Sequence, residues 1–275
     1  MRIRIAAIAL LLGACGPAGR DGPANKAAEA PPPVQFRQAS ADRLAHSERV
    51  ARVLGCVGCH GEALTGNDWS APDIVTMHSS NLSRVARRHD DAQLIAMITT
   101  GRRPDGSELW SMPSHLFTAL TPDDMNSVIA FVRSKPEAGV DHPRPRFGAR
   151  GQSEIDQGIW PSAAADVRTE SGRWPPQAPG DHRLARYIVR ATCAECHGMD
   201  LAGGRVFPGE QPRPNLRLVA GYERDQFRRL LREGVAAGDR PLRLMAQVAR
   251  GRYRHLTDAE IDALYVYLRA LGLQL

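Results

Sequence analysis

The chain has 275 residues, a formal net charge of +6 and a sequence pI of about 9.4. Arginine supplies almost all of the positive charge, and no recognition motif accompanies it, so the charge does not indicate a nucleic-acid partner. Only 5% of the residues are aromatic, and no stretch approaches 18 continuous apolar residues. We therefore predict no membrane-spanning helix.

The first 15 residues are typical of an export signal. Arg2 and Arg4 form a basic start, and residues 5–12 are apolar but too short to span a bilayer. The sequence Leu-Gly-Ala-Cys that ends at Cys15 resembles a bacterial lipoprotein box, which predicts lipidation of Cys15 after cleavage. An ordinary signal peptide that leaves Cys15 free is the alternative. Either one places the protein in the periplasm, and the lipoprotein interpretation anchors it to a membrane.

The segment after Cys15 predicts a flexible tether. Residues 16–40 are rich in Gly, Ala and Pro, and they show neither helical nor strand periodicity. Removal of residues 1–14 takes away two arginines and leaves 34 basic against 30 acidic side chains, a net charge of +4.

Two copies of C-x-x-C-H follow, at residues 56–60 and 193–197. This spacing is the attachment site of c-type haem, because two thiols on one helical turn can form thioether bonds to a single porphyrin while the His ligates its iron. Zinc binding or dithiol chemistry is the alternative, but the pairs lie 137 positions apart and each is followed directly by His. The predicted haem ligands, for two covalent haems, are Cys56, Cys59, His60, Cys193, Cys196 and His197. With Cys15 these motifs use all five cysteines, so no disulfide is expected.

The sequence around the two motifs repeats. Residues 49–56 match residues 186–193, and the interval from the first Cys of the motif to a later Leu-Thr pair is 64 residues in one copy and 63 in the other. We therefore predict two domains of 95 residues, at 41–135 and 181–275, joined by a Pro-rich segment at 136–180. Trp160 and Trp174 in that segment indicate that it packs along the domains, and a solvated spacer is the alternative.

Helical patterns run through both copies, which predicts an all-α fold. Thr121-Pro122 marks a helix start, and Thr257 with Glu260 forms a capping box before a helical apolar stripe. Shorter helices are predicted before each haem motif, at 44–54 and 184–191, and in the middle of each copy, at 92–100 and 225–233.

A six-coordinate haem needs a ligand opposite the His, and a Met thioether is the usual one in electron carriers. Met112, followed by Pro113, is the candidate in the first copy, and Met245 lies in the matching region of the second. Alternatives for the first haem are Met77, His78 and His115, whereas Met97, Met125 and Met199 are expected in the core. From their spacing, Pro72 and Pro214 are expected to accept hydrogen bonds from the ring N–H groups of His60 and His197.

Both halves resemble class I-type cytochrome c domains. The residues that carry the resemblance are 102–106, 112–114 and 120–124 in the first half, and 197–204, 214–216 and 255–260 in the second. The mature chain resembles tandem-haem cytochromes such as the cytochrome subunits of periplasmic alcohol and gluconate dehydrogenases. Those subunits commonly carry a third haem and a C-terminal membrane helix, which this sequence lacks, so we expect a lipid-anchored carrier.

The predicted function is electron transfer by a dihaem cytochrome c, from a dehydrogenase or quinol-linked complex to a terminal acceptor. Its expected partners are redox proteins, namely a dehydrogenase, an oxidase or another cytochrome, and the membrane through the lipid anchor. The alternative is a dihaem enzyme of the peroxidase or thiosulfate dehydrogenase type, which needs one iron with an open or displaceable axial position. A Met in both copies argues against that enzyme, and no catalytic residue is predicted.

Overall fold

Helices form around each haem motif where the sequence predicts them. The computed structural model describes residues 34–204, 211–240 and 242–274. This part of the chain is mostly helical, which confirms the predicted helical fold, and its division into two haem domains stays a prediction. The predicted signal peptide, Cys15 and residues 16–33 of the tether lie outside the described residues. No helix in the described part is long and apolar enough to cross a membrane.

The first repeat contains six helices and one short strand. A 12-residue helix, α1, leads into the turn of α2 that carries the haem motif, and a 13-residue helix, α6, closes the repeat. The elements are α1 (Arg43–Leu54), α2 (Cys56–His60), β1 (Val75–Thr76), α3 (Leu82–Arg88), α4 (Asp91–Thr100), α5 (Ser114–Phe117) and α6 (Pro122–Ser134).

The segment between the repeats is folded. It forms β2 (Arg146–Phe147), α7 (Ala149–Asp156) and α8 (Ala163–Glu170), and β2 pairs antiparallel with β1 of the first repeat. Phe147 and Trp160 pack edge to face on each other and on Trp110 of the first repeat, with ring centroids 4.7 to 6.0 Å apart. These contacts confirm that the segment packs along the protein and exclude a solvated spacer for residues 146–170.

The second repeat follows the order of the first. Its helices are α9 (Arg183–Ala191), α10 (Ala194–His197), α11 (Arg224–Glu233), α12 (Arg243–Gly251) and α13 (Asp258–Gly272), with 3-10 helices at Leu216–Gly221, Ala237–Asp239 and Tyr253–His255. The helix α12 was not predicted. Both predicted helix starts are present, with Thr121 capping α6 and the Thr257–Glu260 capping box opening α13.

The two repeats share one buried core. The described residues form a single compact unit, and its largest apolar cluster takes side chains from both copies. Members from the first repeat include Val50, Val53, Leu116 and Val128, and members from the second include Ile188, Leu201, Ile261 and Leu268. A smaller cluster, with Leu64, Leu94 and Phe131, belongs to the first repeat alone. Burial of apolar surface therefore holds the repeats together as well as folding each one.

Two buried acids at matching positions fasten each repeat to the other. Asp124 and Glu260 both occupy the third residue of the last helix of their repeat. Arg49 of α1 forms an ion pair with Glu260 at 2.9 Å, and Tyr187 of α9 donates to Asp124 at 2.6 Å. The first helix of each repeat thus binds the last helix of the other.

A short segment before α1 lies between these acids. The backbone N–H of Phe36 donates to Asp124 at 3.1 Å, and that of Arg37 donates to Glu260 at 2.8 Å. Phe36 is only 1% exposed and packs edge to face on the ring of Tyr187. Within the predicted tether, these residues are held against both repeats.

Candidate haem sites

The first haem motif begins where α1 stops. Gly55 ends α1 in a left-handed conformation, with φ +90°, and the chain then winds into the single turn of α2. Because Cys56 and Cys59 are three residues apart on that turn, their half-buried thiols lie on the same face. This placement is what two thioether bonds to one porphyrin require.

The structure holds the ring of His60 neutral, with one nitrogen free. The residue is 9% exposed, and its Nδ1 lies 2.8 Å from the carbonyl oxygen of Ser80. A carbonyl can only accept, so Nδ1 carries the proton and Nε2 keeps a free lone pair, which is what coordination of a metal requires. Burial also lowers the pKa of His60, which favours the neutral ring. The expectation that Pro72 supplies this carbonyl is wrong, because Ser80 occupies the position.

His197 repeats this arrangement in the second copy. Its ring is 8% exposed, and Nδ1 lies 2.9 Å from the carbonyl oxygen of Pro214, which confirms the predicted partner. Burial lowers the pKa of His197 as well. Both histidines therefore present Nε2 for coordination, oriented by a backbone acceptor that no side-chain substitution can remove.

The two carbonyls come from the same short pattern in each repeat. Ser80-Asn81-Leu82 and Pro214-Asn215-Leu216 each contain an Asn whose side chain accepts a backbone N–H of the following helix. The Leu N–H then bonds to the carbonyl of Leu64 in one copy, at 2.8 Å, and of Leu201 in the other, at 2.9 Å. The pattern starts 20 residues after the first His and 17 after the second, so an offset counted from the His misses it. The shared Asn-Leu pair was the signal that could have located Ser80.

The turn after each His is also duplicated, including its strain. Leu64 and Leu201 both have positive φ, at 56° and 61°, and both are fully buried. A left-handed backbone costs a residue with a side chain about 1–2 kcal/mol. Because the strained residue lies four positions after the His in both copies, the two turns have the same local structure.

The two predicted axial ligands lie in different local structures. Met112 sits in a loop, between Ser111 with a left-handed φ of 58° and Pro113, which precedes α5. Met245 lies in the first turn of α12. Both side chains are half-buried and pack against the shared core, so both Met assignments stay predictions.

The competing side chains have other surroundings. Met125 and Met199 are buried, at 4% and 5% exposure, and Met97 packs against the smaller cluster, so all three are core residues as expected. His78 stacks on His142 with ring centroids 4.7 Å apart. Among the described residues, the Nδ1 atoms of His78 and of His115 on α5 are both buried without a hydrogen-bond partner. These two histidines and Met77 therefore stay alternatives to Met112.

One arginine joins the two haem motifs. Arg252 forms an ion pair with Glu195, inside the second C-x-x-C-H, at 2.6 Å. It also donates to the carbonyls of Val53 and Leu54, just before the first motif, both at 3.1 Å. Gly55 lies so close that a Cβ there would fall 2.7 Å from the guanidinium carbon. The two attachment segments are therefore in contact through one side chain.

Two thiols and a neutral imidazole with a free Nε2 form the donor set that a covalently bound haem needs. This set is present in both repeats. A haem in either site would be held by thioethers at the Cys pair and by the His on its proximal side, so the residues fit the cofactor.

Comparison with known proteins agrees with this donor set. The family described as cytochrome C oxidase, cbb3-type, subunit III matches residues 180–268, which include the second motif. The fructose dehydrogenase cytochrome subunit of Gluconobacter japonicus is 25% identical over 272 residues, covering 87% of this chain and 55% of the relative. The gluconate 2-dehydrogenase cytochrome c subunit of Pantoea cypripedii is 25% identical over 277 residues, covering 86% and 61%. The chain thus spans a little over half the length of these relatives.

The family match covers about a third of the chain, so it makes the second repeat similar to a cytochrome c domain, a kind of domain that carries covalently bound haem c.

Proposed function

We propose that this protein is a dihaem c-type cytochrome that carries electrons in the periplasm, from a dehydrogenase or quinol-linked complex to a terminal acceptor. The observation that carries the proposal is the duplicated proximal geometry. Each motif sets a His Nδ1 at 2.8 or 2.9 Å from a backbone carbonyl and leaves Nε2 free. Two equally prepared sites support two haems.

The residues of each site have separate tasks. The carbonyls of Ser80 and Pro214 hold the rings of His60 and His197. The cysteines would hold a haem covalently, and Met112 and Met245 would supply its thioether ligands. Bound haem supplies an iron that alternates between Fe(III) and Fe(II), and thioether ligation favours the reduced form. The protein groups make and break no substrate bond.

The contact between the motifs supports electron transfer within the chain. Since Arg252 bonds both Glu195 in the second motif and the carbonyls just before the first, the two attachment segments are held next to each other. One haem can then serve as the entry point and the other as the exit.

The relatives suggest a dehydrogenase as electron donor. Both are named as cytochrome subunits of sugar or sugar-acid dehydrogenases, and each alignment covers more than four-fifths of this chain. We extend the proposal to the N-terminus: residues 1–15 direct export, and lipidation of Cys15 keeps the carrier at a membrane near such partners.

One observation favours the enzyme alternative for the second haem. Met245 is followed by Ala246 and lies within a helix, whereas the loop ligand Met112 is followed by Pro113. A ligand that leaves its iron would open a position for peroxide or another small substrate. The second haem is therefore the one to examine for reactivity.

The test is the optical spectrum of the oxidised and reduced holoprotein, with and without carbon monoxide, for wild type, Met112→Ala and Met245→Ala. Two Met-ligated haems give a far-red Met–Fe(III) band and no reaction with carbon monoxide. Each variant should lose about half of the band and bind about one carbon monoxide per chain, since one of two ligands is removed. Met199→Leu, which changes a buried core Met, is the matched control and should keep the whole band.

A wild-type protein that binds carbon monoxide or consumes peroxide contradicts the pure carrier and supports the enzyme. Mass determination of the mature protein gives an independent count of covalent haems and of acyl chains. One haem per chain would contradict the dihaem proposal.

A further inference from the structure

Arg190 is a buried cation of the second repeat that reaches into the first. It lies on α9, three residues before Cys193, and is 1% exposed. Its guanidinium donates to the carbonyls of Leu116 at 2.5 Å and His115 at 3.1 Å, and to the hydroxyl oxygen of Thr118 at 2.9 Å. All three acceptors belong to α5 and the turn that ends it.

Arg190 also binds the segment between the repeats. Its Nε donates to the carbonyl of Arg173 at 3.2 Å, and Nη2, which also bonds His115 and Thr118, donates to the carbonyl of Ser171 at 2.7 Å. The ring of Trp174 lies 5.0 Å from the guanidinium carbon. Within the described part of the chain, no carboxylate pairs with this guanidinium. A buried charge without a counter-ion is tolerated only when hydrogen bonds replace its lost hydration, so Arg190 depends on these five acceptors.

The acceptors immediately follow the predicted axial ligand of the first haem. α5 begins at Ser114, two residues after Met112, and Pro113 restricts the backbone between them. On the other side of Met112, the carbonyl of Leu109 accepts from the backbone N–H of Ala163 at 2.9 Å. The loop that carries Met112 is thus held at both ends, and Arg190 holds the end that leads into α5.

We infer that Arg190 is a positioning residue for the first haem: from the second repeat, it fixes the segment that places Met112 on the iron. The inference rests on the proposed role of Met112 as an axial ligand. Because α9 continues directly to Cys193, one side chain ties the ligand of the first haem to the attachment site of the second.

The test compares Arg190→Gln with Arg186→Gln in the holoprotein. Arg186 lies one turn earlier on the same helix, donates to the carbonyl of Pro175 at 2.8 and 3.1 Å and lies over the same Trp174. Within the described residues it makes no hydrogen bond to α5. Loss of Arg190 should remove about half of the far-red Met–Fe(III) band and let about one haem per chain bind carbon monoxide. Arg186→Gln should leave both signals as in wild type.

The Met245→Ala background assigns the effect to the first haem. There the remaining far-red band comes from Met112 alone, so addition of Arg190→Gln should abolish it, and addition of Arg186→Gln should not. Arg190→Lys should restore part of the band, because an ammonium group can satisfy some of the five acceptors. A merely structural role would lower stability and leave the band of the folded protein unchanged.

The outcomes separate this inference from the proposed function. If Met112→Ala leaves the wild-type band intact, the proposed ligand is wrong and the inference falls with it. If Met112→Ala halves the band but Arg190→Gln keeps it, only the inference is overturned. Should Arg190→Gln fail to fold, Thr118→Val decides, since it removes one of the five bonds: a several-fold larger fraction reactive with carbon monoxide supports the inference, and a wild-type fraction overturns it.

Discussion

Arg252 and Glu195 form a 2.6 Å ion pair that connects the second haem motif to the chain entering the first. The side chain of Arg252 is 12% exposed and that of Glu195 is 27% exposed, so water screens the pair only in part. Because Arg252 also bonds two carbonyls of the first repeat, it is a structural joint between the repeats.

Substitution of this arginine should weaken the whole fold. Arg252→Gln leaves Glu195 and the carbonyls of Val53 and Leu54 short of donors, and we expect a loss of about 2–3 kcal/mol in the free energy of unfolding. A double-mutant cycle of Arg252→Gln and Glu195→Gln, with the free energy of unfolding of each protein measured by guanidinium chloride denaturation, should give a coupling energy of about 1–3 kcal/mol. A coupling near zero would show that the pair does not join the motifs.

The segment before α1 should contribute measurably to stability. Phe36→Ala removes a ring that is 1% exposed and packs on Tyr187, and a Phe-to-Ala change at such a site costs about 3 kcal/mol or more. Chemical denaturation of this variant and of Val140→Ala, at a site 69% exposed, makes the comparison. Equal stabilities for the two variants would mean that Phe36 is not held between the repeats in solution.

Two buried tyrosines allow a comparison of a charged with a neutral acceptor. Tyr187 donates to the carboxylate of Asp124 at 2.6 Å, and Tyr265 donates to the carbonyl of Tyr222 at 2.9 Å. Both are 4% exposed. Tyr187→Phe should cost about 2–3 kcal/mol and Tyr265→Phe about 1 kcal/mol, because a bond to a charged group is stronger and its loss leaves a buried charge underpaired.

Urea titrations at neutral pH measure the difference between the two tyrosine variants. Burial raises the pKa of Asp124. Protonation of this carboxyl therefore begins early as the pH falls, and the excess cost of Tyr187→Phe should then shrink. A difference that is absent at pH 7 would contradict a charged acceptor at Asp124.

Asp166 should make the protein less stable as the pH rises from about 4 to 6. Burial, and then the charge of Glu170, raise the pKa of Asp166 to about 6, above the ordinary value of about 3.9 in an unfolded chain. The folded state therefore binds this proton more tightly, and its advantage is present below pH 4 and lost by about pH 6. At pH 7 the free energy of unfolding of Asp166→Asn should exceed that of wild type by about 1 kcal/mol, a value reduced because the carboxyl is partly exposed. Near pH 4 the two proteins should be equally stable.

The readout for Asp166 is the difference between variant and wild type in urea titrations at pH 4, 5, 6 and 7. Asp181 provides the control, because Arg183 lowers the pKa of this exposed carboxyl. Unlike Asp166, Asp181 therefore stabilises the folded state at neutral pH, and this stabilisation is lost as the pH falls. A pH-independent difference for Asp166→Asn would show that this carboxyl has an ordinary pKa in the folded protein.

Local signals in the sequence predicted the helices well. The predicted helix at 44–54 is observed at Arg43–Leu54, and that at 225–233 at Arg224–Glu233, each ending at a glycine in the left-handed conformation. Caps and apolar periodicity depend on residues within one or two turns of each other, so a sequence shows them directly.

Contacts between distant segments were not predicted. Ser80 was missed because the carbonyl that binds His60 belongs to a serine, whereas the expected acceptor in each copy was a proline. Nothing in the sequence around Arg190 or Glu260 shows that their partners lie in the other repeat. The sequence does not show whether a charged residue is buried or exposed. Its partners are set by the packing of segments that are distant in the chain.

The shared core has a consequence for how such a chain can be divided. A duplicated sequence suggests two modules that fold and unfold separately, each able to serve as a carrier with one haem. Here Asp124 and Glu260 are each satisfied by the opposite copy, and Val53 and Ile188 belong to one cluster. Either copy alone would expose that cluster and leave a buried acid without its partner from the other copy, so we expect the two copies to unfold together.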